Sequence, residues 1–207
     1  MNVIANIVRG DIDDALFNAF CSSGDVACDI ETSGLDPRRD SIGTVQLYSP
    51  TVGDVIVQIG DRRPERLCRL IEHAGVRKIF HHAMFDLRFM AFHWRVVPVN
   101  IACTKIASKL AIRQVDNRRH SLQALLMDRL GIAISKDQRL SDWTAAELTP
   151  EQVRYAAADV EHLIPLLANL EEDLLAAGLI DLFQACLRFI PSRVKLDLGD
   201  WPDVFAY

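Results

Sequence analysis

The succession of patterns along the chain predicts an α/β fold: a mixed central β-sheet flanked by α-helices, with a helical C-terminal half. Three observations carry that expectation. Segments rich in β-branched and apolar residues crowd the chain up to Ile101, two of them are joined by the short loop SPTVGD, and from Thr104 onward helical periodicity takes over.

The strand segments are residues 26–30, 42–48, 55–59 and 78–81, each bounded by Gly, Pro, Asp or Ser. The Pro- and Gly-containing loop between the second and third is short enough for a hairpin, so those two strands are expected to run antiparallel. Helices interleave. Residues 64–74 carry Leu67, Leu70, Ile71 and Ala74 at helical spacing, and residues 83–92 continue the same period directly after the strand ending at His81. A further short strand is expected around residues 96–101. Beyond it lie helices over 104–111, 121–130 and a long one over 149–176. The last is opened by Thr149-Pro150-Glu151, an N-cap followed by proline in the first turn. Gly131 and Gly178 supply the stops. No internal repeat or low-complexity tract interrupts the chain, and residues 1–207 read as one domain.

Composition narrows the function classes. Half of the 207 residues are hydrophobic and a quarter are charged, the balance of a globular protein rather than a disordered or fibrous one. No apolar run approaches the roughly 20 residues that span a bilayer. The N-terminus MNVIANIVRGDIDD lacks the basic start and apolar stretch of a secretory signal, so a cytoplasmic location is expected. Cys21, Cys28, Cys68, Cys103 and Cys186 are odd in number and show no Cys-x-x-Cys spacing, which argues against both a disulfide framework and a zinc site. A formal net charge of -5 argues against nonspecific binding along a long duplex, whose affinity comes from neutralising many phosphates. A short substrate held in a pocket remains allowed.

Three local patterns carry chemistry. Asp29-Ile30-Glu31 ends the first strand segment, and the two-residue spacing puts both carboxylates on one face with Ile30 pointing into the core. Such a close oxygen-rich pair suits a hard divalent cation, although an acidic strand end facing solvent has the same look. Asp86, in HHAMFDLRF, falls near the start of a helix, where an anion is favoured. Tyr155 and Asp159 are separated by three alanines, so phenol and carboxylate share one helical face, and the thin surface between them lets a substrate or another backbone approach. Close helix packing is the ordinary reason for such an alanine run.

In order, type and context, Asp29, Glu31, Asp86, Tyr155 and Asp159 resemble the acidic 3′–5′ exonucleases with a catalytic tyrosine, the branch that includes ribonuclease D. The stretch from Lys136 to Trp143 (KDQRLSDW) and the LTPEQ from Leu148 to Gln152 are also similar to the ribonuclease D pattern before its third motif. A closer resemblance is to the nanoRNase C family of short bacterial relatives. It rests on CTKIASKL (Cys103 to Leu110), on Ile134-Ser135-Lys136 and on the tail LDLGDW (Leu196 to Trp201) with Phe205 and Ala206. The resemblance implies a ribonuclease H-like exonuclease fold and a two-metal-ion hydrolase using Mg²⁺ or Mn²⁺. It further implies short single-stranded RNA, diribonucleotides especially, as substrate, and a homo-oligomer in the form of a ring octamer. It assigns Asp29, Glu31, Asp86 and Asp159 to the metals and Tyr155 to the attacking water. One departure stands out: His82 occupies a position where ribonuclease D-like sequences often have Asn, and its role is left open.

Residues away from the metals must set substrate length. Thr32 and Leu35 follow Glu31 in the turn TSGLDP, where Leu35 either wedges against bases or folds back onto the core. For the 5′ end the candidates are Lys105, Lys109, Arg118, Arg119, His120 and Lys136, since charge-assisted bonds to a terminal phosphate are strong and local, while His82 is a candidate for a substrate contact outside the catalytic set. The tail over 191–207, with Leu196, Leu198, Trp201, Val204, Phe205 and Tyr207, is too short for its own core and is expected to dock, on its own domain or on a neighbouring subunit. Two other functions fit the same motifs: a general RNA-processing or DNA exonuclease acting on long strands, and a catalytically silent nucleotide-binding scaffold.

Overall fold

The computed structural model describes residues 5–206 apart from 114, 136 and 139; Lys136 and Tyr207, named above, lie outside the described residues. Six strands form one sheet in the order β1-β4-β3-β2-β5-β6. They are β1 (Asn6–Arg9), β2 (Asp25–Thr32), β3 (Ile42–Ser49), β4 (Gly53–Gln58), β5 (Arg77–Phe80) and β6 (Ile101–Cys103). The expected hairpin is β3–β4, antiparallel, turning where Gly53 takes a φ of 84° that only glycine adopts easily. Strand β2 is antiparallel to β3 and parallel to β5, while β1–β4 and β5–β6 are parallel, so the sheet is mixed as anticipated.

The helices are α1 (Asp14–Ser23), α2 (Glu65–Ile71), α3 (Ala83–Trp94), α4 (Thr104–Ala111), α5 (Leu122–Leu130), α6 (Pro150–Glu161), α7 (Leu163–Ala176) and α8 (Ile180–Leu198). The long helix expected over 149–176 is two helices, broken at His162. Pro165 explains the break: inside a continuous helix it would lack its N–H and clash with the preceding turn, whereas in the first turn of α7 it costs little. The strand expected around 96–101 starts at Ile101 instead. Pro98 can donate no ladder hydrogen bond and Asn100 sits at φ 50°, so the chain stays irregular until β6. Helix α8 runs on to Leu198, so the first part of the 191–207 segment, residues 191–198, is the end of that helix.

One continuous apolar core runs from Phe20, Val26 and Leu47 through Phe80, Phe89 and Leu126 to Leu166, Leu170 and Phe183. A second, smaller core gathers Ala5, Ile56, Trp143 and Ala156, with Leu148, Val153 and Tyr155 packed against it. All five cysteines are free, and Cys28, Cys68 and Cys103 are buried. No helix among the described residues is long and apolar enough to cross a membrane.

Candidate active site

The site forms where β2 parts from β5. The two strands pair only from Asp25 and Arg77 to Ala27 and Ile79, leaving the C-terminal half of β2 open on that side. The start of α3 fills the opening. Asp86, 2% exposed, accepts a hydrogen bond at 3.1 Å from the backbone N–H of Ile30, which fixes it between Asp29 and Glu31 along the chain. On the other side β3 pairs with β2, setting Gln46 opposite Asp29 and Thr44 opposite Glu31.

Helix α6 brings the third motif. Its N-terminus is a full capping box: Thr149 accepts from the N–H of Gln152, the Gln152 side chain accepts from the N–H of Thr149, and Pro150 leads the first turn. Buried Ala156 and Ala157 let the helix lie close over β2, β3 and β4. The expected face then delivers Tyr155 and Asp159 to the end of β2. Oxygens of Asp29, Glu31 and Asp159 all lie within 4.8 Å of one another. Asp29, Glu31, Tyr155 and Asp159 line one cleft of about 200 Å³, together with Ile30, His81, His82, Leu122, Gln123 and Ile134.

The electrostatics follow from this crowding. Burial, then the charges of Asp86, Asp159 and Glu31, hold the Asp29 carboxyl well above the usual carboxylate range. Burial raises Asp86 to about 7, against the pull of the backbone hydrogen bonds it accepts. Tyr155 is pushed further above the ordinary phenol value by burial, by the charges of Asp159, Glu31 and Asp29, and by its hydrogen bond to Asp159. A phenol so placed can donate a hydrogen bond but cannot take a proton at neutral pH. Such an all-oxygen carboxylate set, mutually repulsive when ionised, fits a hard divalent cation such as Mg²⁺ or Mn²⁺.

The remaining sequence candidates divide. His82 lines the cleft, and burial followed by the charges of Lys105, Arg88 and Lys109 lowers its pKa to about 4, so it is neutral at physiological pH. The backbone N–H of Lys105 bonds the His81 carbonyl at 3.2 Å, which sets the start of α4 beside His81, with Lys109 one turn further along that helix. His120 is buried with its Nδ1 3.1 Å from Ser108 Oγ, and it does not line the cleft. Arg118 and Arg119 line a neighbouring cleft of about 590 Å³ that shares Gln123 with the first. Thr32 bonds the Gly34 carbonyl at 2.5 Å, and the Asp40 carboxylate occupies the space where a Gly34 side chain would go. This turn holds Leu35 out in solvent, 80% exposed. Leu122 and Gln123 carry no signal in the sequence as site residues, and Ile134 stands out there only within the segment Ile134-Ser135-Lys136. Ser121 caps the start of α5, accepting from the N–H of Ala124.

Comparison with known proteins agrees with this geometry. A family model described as 3′–5′ exonuclease matches residues 11–175. The solved structure of Brucella melitensis NrnC is 36% identical, with a TM-score of 0.91 and 98% of each chain covered; NrnC has also been solved bound to pGG and with bound Mg²⁺. Ribonuclease D of Musicola paradisiaca is 26% identical over 153 residues, and DNA polymerase I of Aquifex aeolicus is 32% identical over 137. The match spans only 40% of that ribonuclease D and 23% of that polymerase.

Proposed function

The chain belongs to the 3′–5′ exonuclease family, on the ribonuclease D-like branch with NrnC, and from that premise we propose that it hydrolyses short oligoribonucleotides, diribonucleotides especially, to nucleoside 5′-monophosphates. The observation that carries this reading is the convergence of Asp29, Glu31 and Asp159 within 4.8 Å, beside Tyr155 and with Asp86 tethered to Ile30. Asp29, Glu31, Asp86 and Asp159 are the residues to hold two divalent ions, Mg²⁺ or Mn²⁺. Bound there, such ions lower the pKa of water and neutralise charge on the phosphate and leaving oxygen. Tyr155 keeps its proton and orients the attacking water by hydrogen bonding at the phenol oxygen. His82, neutral in the cleft, and the nearby Lys105 and Lys109 offer neutral and cationic donors to the far end of a short strand. Leu35 is free to meet a base.

The pGG held by NrnC supports a short RNA substrate. The deciding experiment compares a 5′-labelled diribonucleotide with a long single strand of RNA or DNA, in Mg²⁺, in Mn²⁺ and in chelator. Preferential loss of the dinucleotide in metal, and none in chelator, is expected. Equal rates on both lengths would remove the short-substrate reading, and no turnover at all would favour a silent scaffold.

Self-association belongs to the same reading. Phe205 packs edge-on to Phe189 and Arg38 bonds the Leu198 carbonyl and Asp200, yet Trp201, Val204 and Phe205 stay largely exposed. Those apolar groups suit a contact with another subunit of a homo-oligomer, a ring octamer by family resemblance. Light scattering before and after removal of residues 200–207 tests this, with a fall to smaller species expected.

A further inference from the structure

Tyr155 leans away from the main core, onto the small cluster of Ala5, Ile56, Trp143 and Ala156. Trp143 is the largest member, 1% exposed, with its ring centroid 5.8 Å from that of Tyr155 at a tilt of 44°. It lies in the long connection between α5 and α6, and two contacts pin that stretch. Gln152, in the capping box of α6, donates to the Asp142 carbonyl at 2.9 Å. On β3, Gly43 lies so close under the Trp143 carbonyl that a side chain there would collide with it. Trp143 is therefore placed by α6, which carries Tyr155 and Asp159, and by β3, the strand paired with β2.

The choice of tryptophan is not explained by packing alone. Its indole Nε1–H is buried without a hydrogen-bond partner among the described residues, a costly arrangement that a phenylalanine would avoid. Trp143 also lines a cleft of about 390 Å³ with Gly43, Gln58 and Arg9, so without the indole the Tyr155 ring gains room on its back side. We infer that Trp143 is a positioning residue for Tyr155: with its backbone seated against Gly43 and the preceding Asp142 carbonyl tied to Gln152, its indole backs the Tyr155 ring and holds the phenol at the carboxylate cluster. This rests on the role given to Tyr155 above.

A double-mutant cycle on dinucleotide hydrolysis in Mg²⁺ tests it, using Trp143→Ala, Tyr155→Phe and the pair. A small displacement of a catalytic group costs about a hundredfold in rate, so Trp143→Ala is expected to lower kcat by roughly ten- to a hundredfold with KM within about threefold. In the Tyr155→Phe background, where no hydroxyl is left to position, the same change should cost less than about twofold, because groups acting through one another are not additive. A full, additive loss in that background would overturn the inference while leaving Tyr155 its role. An unchanged kcat in Tyr155→Phe alone would instead overturn the role of Tyr155. Should Trp143→Ala not fold by circular dichroism, Trp143→Phe replaces it in the cycle. There a lower kcat than wild type, lost in the Tyr155→Phe background, supports the inference, and a wild-type kcat ends it.

Discussion

The two ends of strand β2 handle acid in opposite ways. At its start, Asp25 is gripped by both sides of the Arg77 guanidinium, at 2.9 and 2.7 Å, and the same Arg77 bonds Glu171 of α7 at 3.0 Å. One built-in cation there ties β2, β5 and α7 together. At its C-terminal end, the charges acting on Asp29 are those of Asp86, Asp159 and Glu31, all of its own sign. The first arrangement is complete in itself and stabilises the fold. The second is unfavourable as it stands and gains from a cation brought from solution, which is the mark of a binding site rather than a structural pair.

The sharpest way to break this contrast is to cut one acid from each end. Asp29→Ala is expected to reduce dinucleotide hydrolysis by about a thousandfold or more, since a bound metal supplies several kcal/mol of charge stabilisation. In chelator its thermal midpoint should equal or exceed that of wild type, because a repulsive charge has gone; a clear fall in stability would mean the cluster is structural after all.

At the other end the expected effect is on stability alone. Arg77→Ala should destabilise the protein by about 2 kcal/mol, below the 3–5 kcal/mol of a fully buried pair because the Arg77 and Asp25 side chains are each 34% exposed. Its kcat should stay within about twofold of wild type, as effects at separate sites are independent. A matching collapse in turnover would show that the two ends are coupled.

The acidity of the cluster gives a third expectation. Asp29 and Asp86 titrate above their unfolded values, Asp86 at about 7, so between about pH 4 and that point the folded protein holds protons that the unfolded chain has released. In chelator, the stability these groups contribute is full below about pH 4 and is lost as the pH climbs through 7. Mg²⁺ should flatten that slope by favouring the ionised form, with the largest stabilisation at high pH. Thermal melts across this range, with and without Mg²⁺, read it directly; a metal effect that grew toward acid pH would contradict it. The smallest expected change is at Leu35: covering a leucine side chain with a base is worth about 1.5 kcal/mol, so Leu35→Ala should raise the dinucleotide KM by roughly tenfold and leave kcat nearly unchanged.

What the sequence disclosed of this arrangement follows its physics. A bias to β-branched and apolar residues between turn residues marked β2 to β5, and a two-residue spacing was enough to put Asp29 and Glu31 on one strand face. Strand β1 passed unnoticed because its four residues, NIVR, form a mostly exposed edge without alternation. Helix α1 was missed since it buries only Phe17 and Phe20, too short a stripe to read as a period. Pro165 was overlooked inside a convincing apolar run, and with it the break between α6 and α7. In the site, the motif residues could be named one by one, but Leu122, Gln123 and Ile134 reach the cleft through the long-range approach of α5 and its following loop, which no local pattern encodes. The tilt of Trp143 on Tyr155 is hidden for the same reason.

Everything turns on whether the acidic end of β2 takes up metal. Crystals soaked in Mn²⁺ and measured for anomalous scattering answer that without any assay. Two peaks bounded by Asp29, Glu31, Asp86 and Asp159, absent from an Asp29→Ala crystal, are the expected result. Manganese that settled elsewhere, or peaks that survived in that variant, would contradict the assignment of these carboxylates.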